Sequence, residues 1–296
     1  MTLNTKRPLY LFAHIEKCGG TTLIEMLRRN FALRHVDIIP CQTDTNYVSS
    51  TDLRRALRLQ PWAISFAGHS IRPFCDFGEI NREIKMYTLL RDPVKRYHSD
   101  YLHDVTRRGY EGTIWEWMDF EDRHNFQTRA MSATGDLEEA KDVIARMAAF
   151  GIVESFDTFV RDMEALLHPV QFATYYRKMN PAMLTQGKRE GEAPPRPMLS
   201  GAEQIAIAER NEKDIALYKW ARDLISKRED TGGGASLQSS HVSTVDRIRV
   251  QLNRAQRNLW YKPWMGYKPG QLHALPRNAV DSKTWYEQAP YPTGRK

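Results

Sequence analysis

The sequence has no apolar run approaching the ~18 residues that a membrane-spanning helix needs. Cysteine is scarce. Cys18, Cys41 and Cys75 are odd in number and show neither CxxC nor metal-ligand spacing. That argues against a disulfide framework and suits a reducing cytoplasm. The stretch MTLNTKRPLYLFAHIEKCGG holds no long apolar core and no small-residue cleavage site, so no signal peptide is read there. No internal repeat is visible, and no His/Cys/Asp cluster has the spacing of metal ligands, so no metal is expected. The G-x-x-x-x-G-K-[ST] loop of nucleotide triphosphatases is also missing, which argues against an ATP/Mg²⁺ site.

What is present suits one α/β domain with an appendage. The chain has 296 residues, 41 % of them hydrophobic, enough for a sizeable core. Its net charge of +7 is unevenly spread: residues 1–110 hold 17 Lys+Arg against 11 Asp+Glu, residues 111–230 hold 16 against 22, and residues 231–296 hold 10 against 3. Two basic regions suggest an anionic ligand, with a solvated basic surface as the plainer reading.

Continuous apolar runs at 8–14, 35–39, 62–69 and 84–90 read as buried strands. Helical periodicity follows at 19–31, 93–107, 123–132, 137–148, 155–167 and 202–227. Strands alternating with helices predict a parallel sheet with helices on both faces. Residues 230–243 have linker composition. The division expected is a domain over 1–228, a linker over 229–243, and a basic, aromatic-rich extension over 244–296, helical and irregular.

The stretch HIEKCGGTTL (His14 to Leu23) is strand, two glycines, two threonines, then helix. Gly19 and Gly20 allow a tight turn whose N–H groups can approach a ligand. The helix start supplies unpaired N–H groups and a positive dipole end. Thr21 and Thr22 add hydroxyls, and Lys17 adds a mobile charge. The segment MYTLLRDPVKRYHSDYLH (Met86 to His103) repeats the theme. Its strand ends in Arg91, Asp92 and Pro93 suit a helix start, and Ser99 lies about two turns into the helix. Arg91 can grip a phosphate with its planar fork while Ser99 donates a hydroxyl.

Together these stretches resemble the PAPS-dependent sulfotransferases. The first is similar to their 5′-phosphosulfate loop, of P-loop-like fold, and the second to their 3′-phosphate motif. The Golgi-type carbohydrate sulfotransferases acting on heparan-like chains, with their bacterial relatives, are the nearest group by these motifs. NFQTRAMS (Asn125 to Ser132), FGIVESFDTFVRDMEALL (Phe150 to Leu167) and NEKDIALYKWARDLI (Asn211 to Ile225) resemble further stretches of that group, so the likeness covers about residues 8–227. It implies 3′-phosphoadenosine-5′-phosphosulfate (PAPS) as donor, 3′,5′-ADP (PAP) as product, a hydroxyl acceptor of glycan type, and no metal. Lys17, Cys18, Gly19, Gly20, Thr21, Thr22, Arg91 and Ser99 would hold the donor, with Lys17 at the oxygen that bridges phosphorus and sulfur. Glu16 departs from the family's loop. A carboxylate beside an anion site must point away or pair with a base.

FAGHS (Phe66 to Ser70) puts His69 at the carboxyl end of the third strand, the edge where ligands gather in such sheets. Histidine suits a general base near neutral pH, and His69 matches the family's base. His98 and His103 are rivals, and His14 is read as packing under the loop. Arg129 could lie near the ligands or pair with a helix neighbour. Lys188 and Arg189 could close over the donor from a loop. In the extension, Val245, Ile248, Leu252, Ala255 and Leu259 give one apolar helical face. Trp260, Tyr261, Trp264, Tyr267, Trp285, Tyr286 and Tyr291 follow, and packing onto the domain is preferred over nucleic-acid or sugar stacking. No nucleic acid is expected. A non-catalytic nucleotide- or nucleic-acid-binding protein, or a small-molecule kinase, is the alternative.

Overall fold

A computed structural model describes residues 7–40, 47–78, 80–178, 198–229, 236–239 and 242–262. Five strands form one parallel sheet: β1 (Leu9–Ala13), β2 (His35–Asp37), β3 (Ser65–Gly68), β4 (Ile84–Leu90) and β5 (Ala149–Ile152), in the order β2-β3-β1-β4-β5. The predicted α/β class therefore holds. The strands read as continuous apolar runs because both faces of the sheet are covered. All five residues of β1 are buried, and Phe12, Phe66 and Leu89 are fully excluded from solvent. Each such side chain contributes about 1.5–3 kcal/mol.

Ten α-helices occur among the described residues: α1 (Gly20–Phe31), α2 (Ser50–Leu59), α3 (Pro93–His103), α4 (Ile114–Trp117), α5 (Phe126–Met131), α6 (Leu137–Ala145), α7 (Phe156–Leu167), α8 (Gly201–Arg210), α9 (Glu212–Glu229) and α10 (Thr244–Ala255). The chain leaves β1 toward β2 and leaves β4 toward β5, in opposite directions. Right-handed crossovers then put their helices on opposite faces and open a crevice between the carboxyl ends of β1 and β4, the switch point of the sheet.

Three details differ from the periodicity. The single helix expected over 202–227 is broken at Asn211, which is buried, accepts from the Asn125 N–H at 2.9 Å and precedes α9. Helix α2 was not anticipated, although Ser49 and Asp52 form a reciprocal cap at its start. Part of the expected linker is tied down: Tyr176 pairs with Gln238, and the Leu237 N–H donates to Asp157 at 3.3 Å. Among the described residues Cys18 and Cys75 are free thiols, and no helix is long and apolar enough to cross a membrane.

Candidate active site

The loop after β1 has the backbone of an anion cradle. Lys17 and Gly19 are both left-handed, with φ of 66° and 72°. A lysine held there costs about 1–2 kcal/mol, which surrounding contacts must offset. One such contact comes from Arg91, whose Nη1 donates to the Lys17 carbonyl at 2.9 Å. Gly19 is the N-cap of α1 without side-chain help, and the N–H groups of Gly19, Gly20 and Thr21 make no hydrogen bond among the described residues. They are the orphan donors of a helix start. Gly20 is required by packing as well: a Cβ there would meet His14 Nε2 at 1.7 Å. His14 thus lies under the loop as read from sequence. Burial and then the His69 charge hold its pKa well below the ordinary histidine value, so it stays neutral.

Lys17 is half-buried, and burial lowers its pKa to about 8, opposed by Asp100 and aided by Arg91 and Arg96. Beneath it lies a charge network that the sequence did not disclose. Arg96 reaches Asp100 at 3.4 Å, Arg123 reaches Asp100 at 3.2 Å and Asp104 at 3.1 Å, and Arg108 reaches Asp104 at 2.7 Å. Arg96 also stacks on Phe126 and Arg123 on Trp117, at 4.5 and 4.0 Å from the ring centres. Deleting Asp100 would take the carboxylate from the buried Arg96 and one of two from Arg123.

The Arg91 turn is held on both sides. Asp92 accepts from the Lys95 N–H at 2.9 Å and Pro93 opens α3, as its sequence suggested. Gln127 clips the Arg91 backbone, accepting from its N–H and donating to its carbonyl, each at 2.9 Å. Its Oε1 also accepts from Cys18 Sγ at 3.4 Å, so one amide joins the two phosphate-type loops. Gln127 is placed in turn by Asp214, which accepts from the N–H groups of Gln127 and Thr128 at 3.0 and 2.7 Å. The NFQTR stretch is thereby a brace. Arg129 donates to the carbonyls of Glu121 and Asp122 at 3.3 and 2.8 Å. The Glu154 carboxylate accepts from the Asp92 N–H at 3.4 Å. Gln127→Leu removes both halves of the clip, leaving a backbone donor and acceptor unpaired. Urea unfolding should then show a loss of about 1–3 kcal/mol; an unchanged midpoint would mean that the clip contributes nothing.

Cys18 is fully buried, and burial pushes its thiol pKa far up, so the side chain is a packing group rather than a nucleophile. Its N–H closes the turn onto Ile15 at 3.3 Å. Thr21 is half-buried, Thr22 is buried, and Ser99 is half-buried in α3. Lys188, Arg189, Cys41, Trp264, Tyr267, Trp285, Tyr286 and Tyr291 lie outside the described residues.

His69 directly follows β3, beside the end of β1. Its ring lies 4.0 Å from that of His14, and its Nδ1 is 3.1 Å from the His14 carbonyl. A carbonyl only accepts, so Nδ1 carries a proton, and in the neutral imidazole Nε2 is the nitrogen with the lone pair. The side chain is 48 % exposed, hence accessible. Glu16 resolves its alternatives toward pairing: one oxygen lies 3.5 Å from His69 Nδ1 and the other 4.0 Å from Nη2 of the buried Arg72. The rivals sit in other surroundings, His103 with Nδ1 3.5 Å from Asp104 and His98 within electrostatic reach of Glu203. Among the described residues no three His, Cys, Asp or Glu side chains converge as metal ligands would.

No protein-family model matches the chain. Its sequence is 27 % identical to heparan-sulfate 6-O-sulfotransferase 2 of Danio rerio, over 74 % of this chain and 58 % of the relative. It is 26 % identical to heparan-sulfate 6-O-sulfotransferase 1 of Homo sapiens, over 74 % of this chain and 66 % of the relative. The Mus musculus enzyme of that name is matched at 26 % identity, again over 66 % of its length. The chain thus spans about three fifths to two thirds of the curated relatives it matches. These likenesses agree with the two phosphate-type motifs, and the chain is distantly similar in sequence to heparan-sulfate 6-O-sulfotransferases.

Proposed function

We propose that this protein is a sulfotransferase that moves the sulfuryl group of PAPS to a hydroxyl of a glycan by in-line displacement. The observation that carries the reading is the joining of two anion-type loops at one switch point, with Arg91 seated on the Lys17 carbonyl and His69 on the neighbouring strand end. Thr21, Thr22 and the N–H groups of Gly19 and Gly20 would receive the 5′-phosphosulfate, and Arg91 with Ser99 the 3′-phosphate. The donor supplies an activated sulfuryl group and needs no metal to transfer it. Lys17 would face the bridging oxygen as its bond to sulfur breaks and charge grows there. His69 Nε2 would take the proton of the acceptor hydroxyl as its oxygen bonds to sulfur. Glu16 would stand beside the imidazolium so formed.

Calorimetry with product nucleotides tests the donor site. PAP should bind far more tightly than 5′-AMP, and equal affinities would overturn the reading. Arg91→Ala should cost PAP about 1.5–3 kcal/mol, the range for hydrogen bonds to charged groups, and cost 5′-AMP much less. The difference between the two losses is the informative quantity, because Arg91 also holds the Lys17 peptide.

A further inference from the structure

Helix α10 is packed inside out. The side that meets the domain is mostly polar, with Val250 buried between Asp246 and Asn253. The Asn253 amide donates to the carbonyls of Ala32 and His35, each at 2.7 Å, and Asp246 accepts from the Tyr175 hydroxyl. Arg254 pairs with Glu25 at 3.0 Å and Arg257 with Asp37 at 3.1 Å, while Tyr261 is buried. The apolar side read from periodicity points outward. Val245, Ile248, Leu252 and Leu259 are 58, 54, 49 and 79 % exposed, and Trp260 beside them is 46 % exposed. At about 100° per residue Val245, Ile248 and Leu252 form one stripe on α10, with Leu259 and Trp260 beyond its end in a π-helical turn, Gln256–Tyr261; exposed Arg249 lies about 70° from the centre of the stripe and exposed Arg247 about 130°.

The charge on this end of the chain narrows the partner. Residues 1–230 hold 33 Lys+Arg and 33 Asp+Glu, whereas residues 231–296 hold 10 and 3, so the whole net charge of +7 belongs to the C-terminal part. Of that charge, Arg247 and Arg249 are exposed on α10 itself, so a partner for this helix must offer apolar and anionic surface together. Nucleic acid offers charge and stacking faces but no seat for Val, Ile and Leu side chains. A second copy would bring the same positive charge. The interface of an anionic bilayer offers both: acyl chains below and acidic headgroups around.

We propose that α10 and the π-helical turn after it form a membrane-surface segment, laying Val245, Ile248, Leu252, Leu259 and Trp260 into an anionic bilayer, with Arg249 at headgroup level and Arg247 reaching it from farther round the helix. The arginine stems can lie along the apolar layer while their guanidinium groups reach acidic lipid.

Co-sedimentation of the full chain with vesicles tests this. Phosphatidylcholine vesicles containing phosphatidylserine should bind it, pure phosphatidylcholine should bind it less, and added salt should weaken the binding. Ile248→Asp/Leu252→Asp should weaken binding by about tenfold or more, since two charges would enter the acyl region. Arg247→Gln/Arg249→Gln should reduce the preference for phosphatidylserine. Both variants should keep the wild-type melting temperature and sedimentation coefficient, because these side chains are exposed. Three results would each overturn the proposal. One is no binding to phosphatidylserine vesicles at low salt. Another is binding that Ile248→Asp/Leu252→Asp leaves unchanged. The third is a lower melting temperature or altered oligomeric state in that variant, which would show the stripe already covered by this chain or a second copy.

Discussion

His69→Ala should lower kcat by about 10²–10⁴, the usual contribution of a general base, while KM for donor and acceptor moves by no more than a few fold. The split follows from geometry. The imidazole is anchored through Nδ1 to the His14 carbonyl at 3.1 Å and is half-exposed, so its loss removes a proton acceptor without opening the core. Glu16 supplies the control. Its oxygen, 3.5 Å from Nδ1, is beyond a good hydrogen bond but close enough to favour the cation that forms when the proton arrives. For a partly exposed pair that is worth about 0.5–1 kcal/mol, a few fold in kcat. Glu16→Gln should therefore cost a few fold in the wild type and nothing further in His69→Ala. If Glu16→Gln costs the same in both backgrounds, its role is structural and independent of the histidine. Near-wild-type kcat in His69→Ala would move the search for the base to His98, His103 or a carboxylate.

The loop and strands were legible because their signals are local. Leu9 to Ala13 is a continuous apolar run, and it is fully buried. Gly19 and Gly20 stand where a left-handed cap and the His14 ring require them. Arg91, Asp92 and Pro93 wrote the end of a strand and the start of a helix in three residues. Long-range partnerships were not legible. Nothing adjacent to Gln127 says that it clips Arg91, 36 residues away, or that Asp214 holds Gln127 from 87 residues away. Only the family likeness marked that stretch. The break at Asn211 had a faint signal, since asparagine before Glu212 and Asp214 is a cap-like sequence, but apolar periodicity runs through it. In α10 periodicity gave the apolar stripe but not its direction. A helical pattern tells which residues share a face, and the buried polar groups of Asp246 and Asn253 decide which face meets the domain.

Lys17 carries the second large effect, and its pH dependence separates charge from shape. Lys17→Ala should lower kcat by about 10²–10³, the cost of removing one group aimed at developing charge, with a smaller loss in donor affinity. Burial lowers the Lys17 pKa to about 8, so without ligand the charged form is lost as pH rises through that value. An anion favours the charged form. Binding at higher pH must therefore take up a proton, and PAP affinity should fall as pH rises above about 8. In Lys17→Arg, charged throughout that range, the fall should disappear. Calorimetry in two buffers of different ionisation enthalpy would count the proton directly. A flat affinity from pH 7 to pH 10 in the wild type would mean that Lys17 does not face the anion, and the leaving-oxygen role would pass to Arg91 or Arg96, whose guanidinium groups do not titrate there.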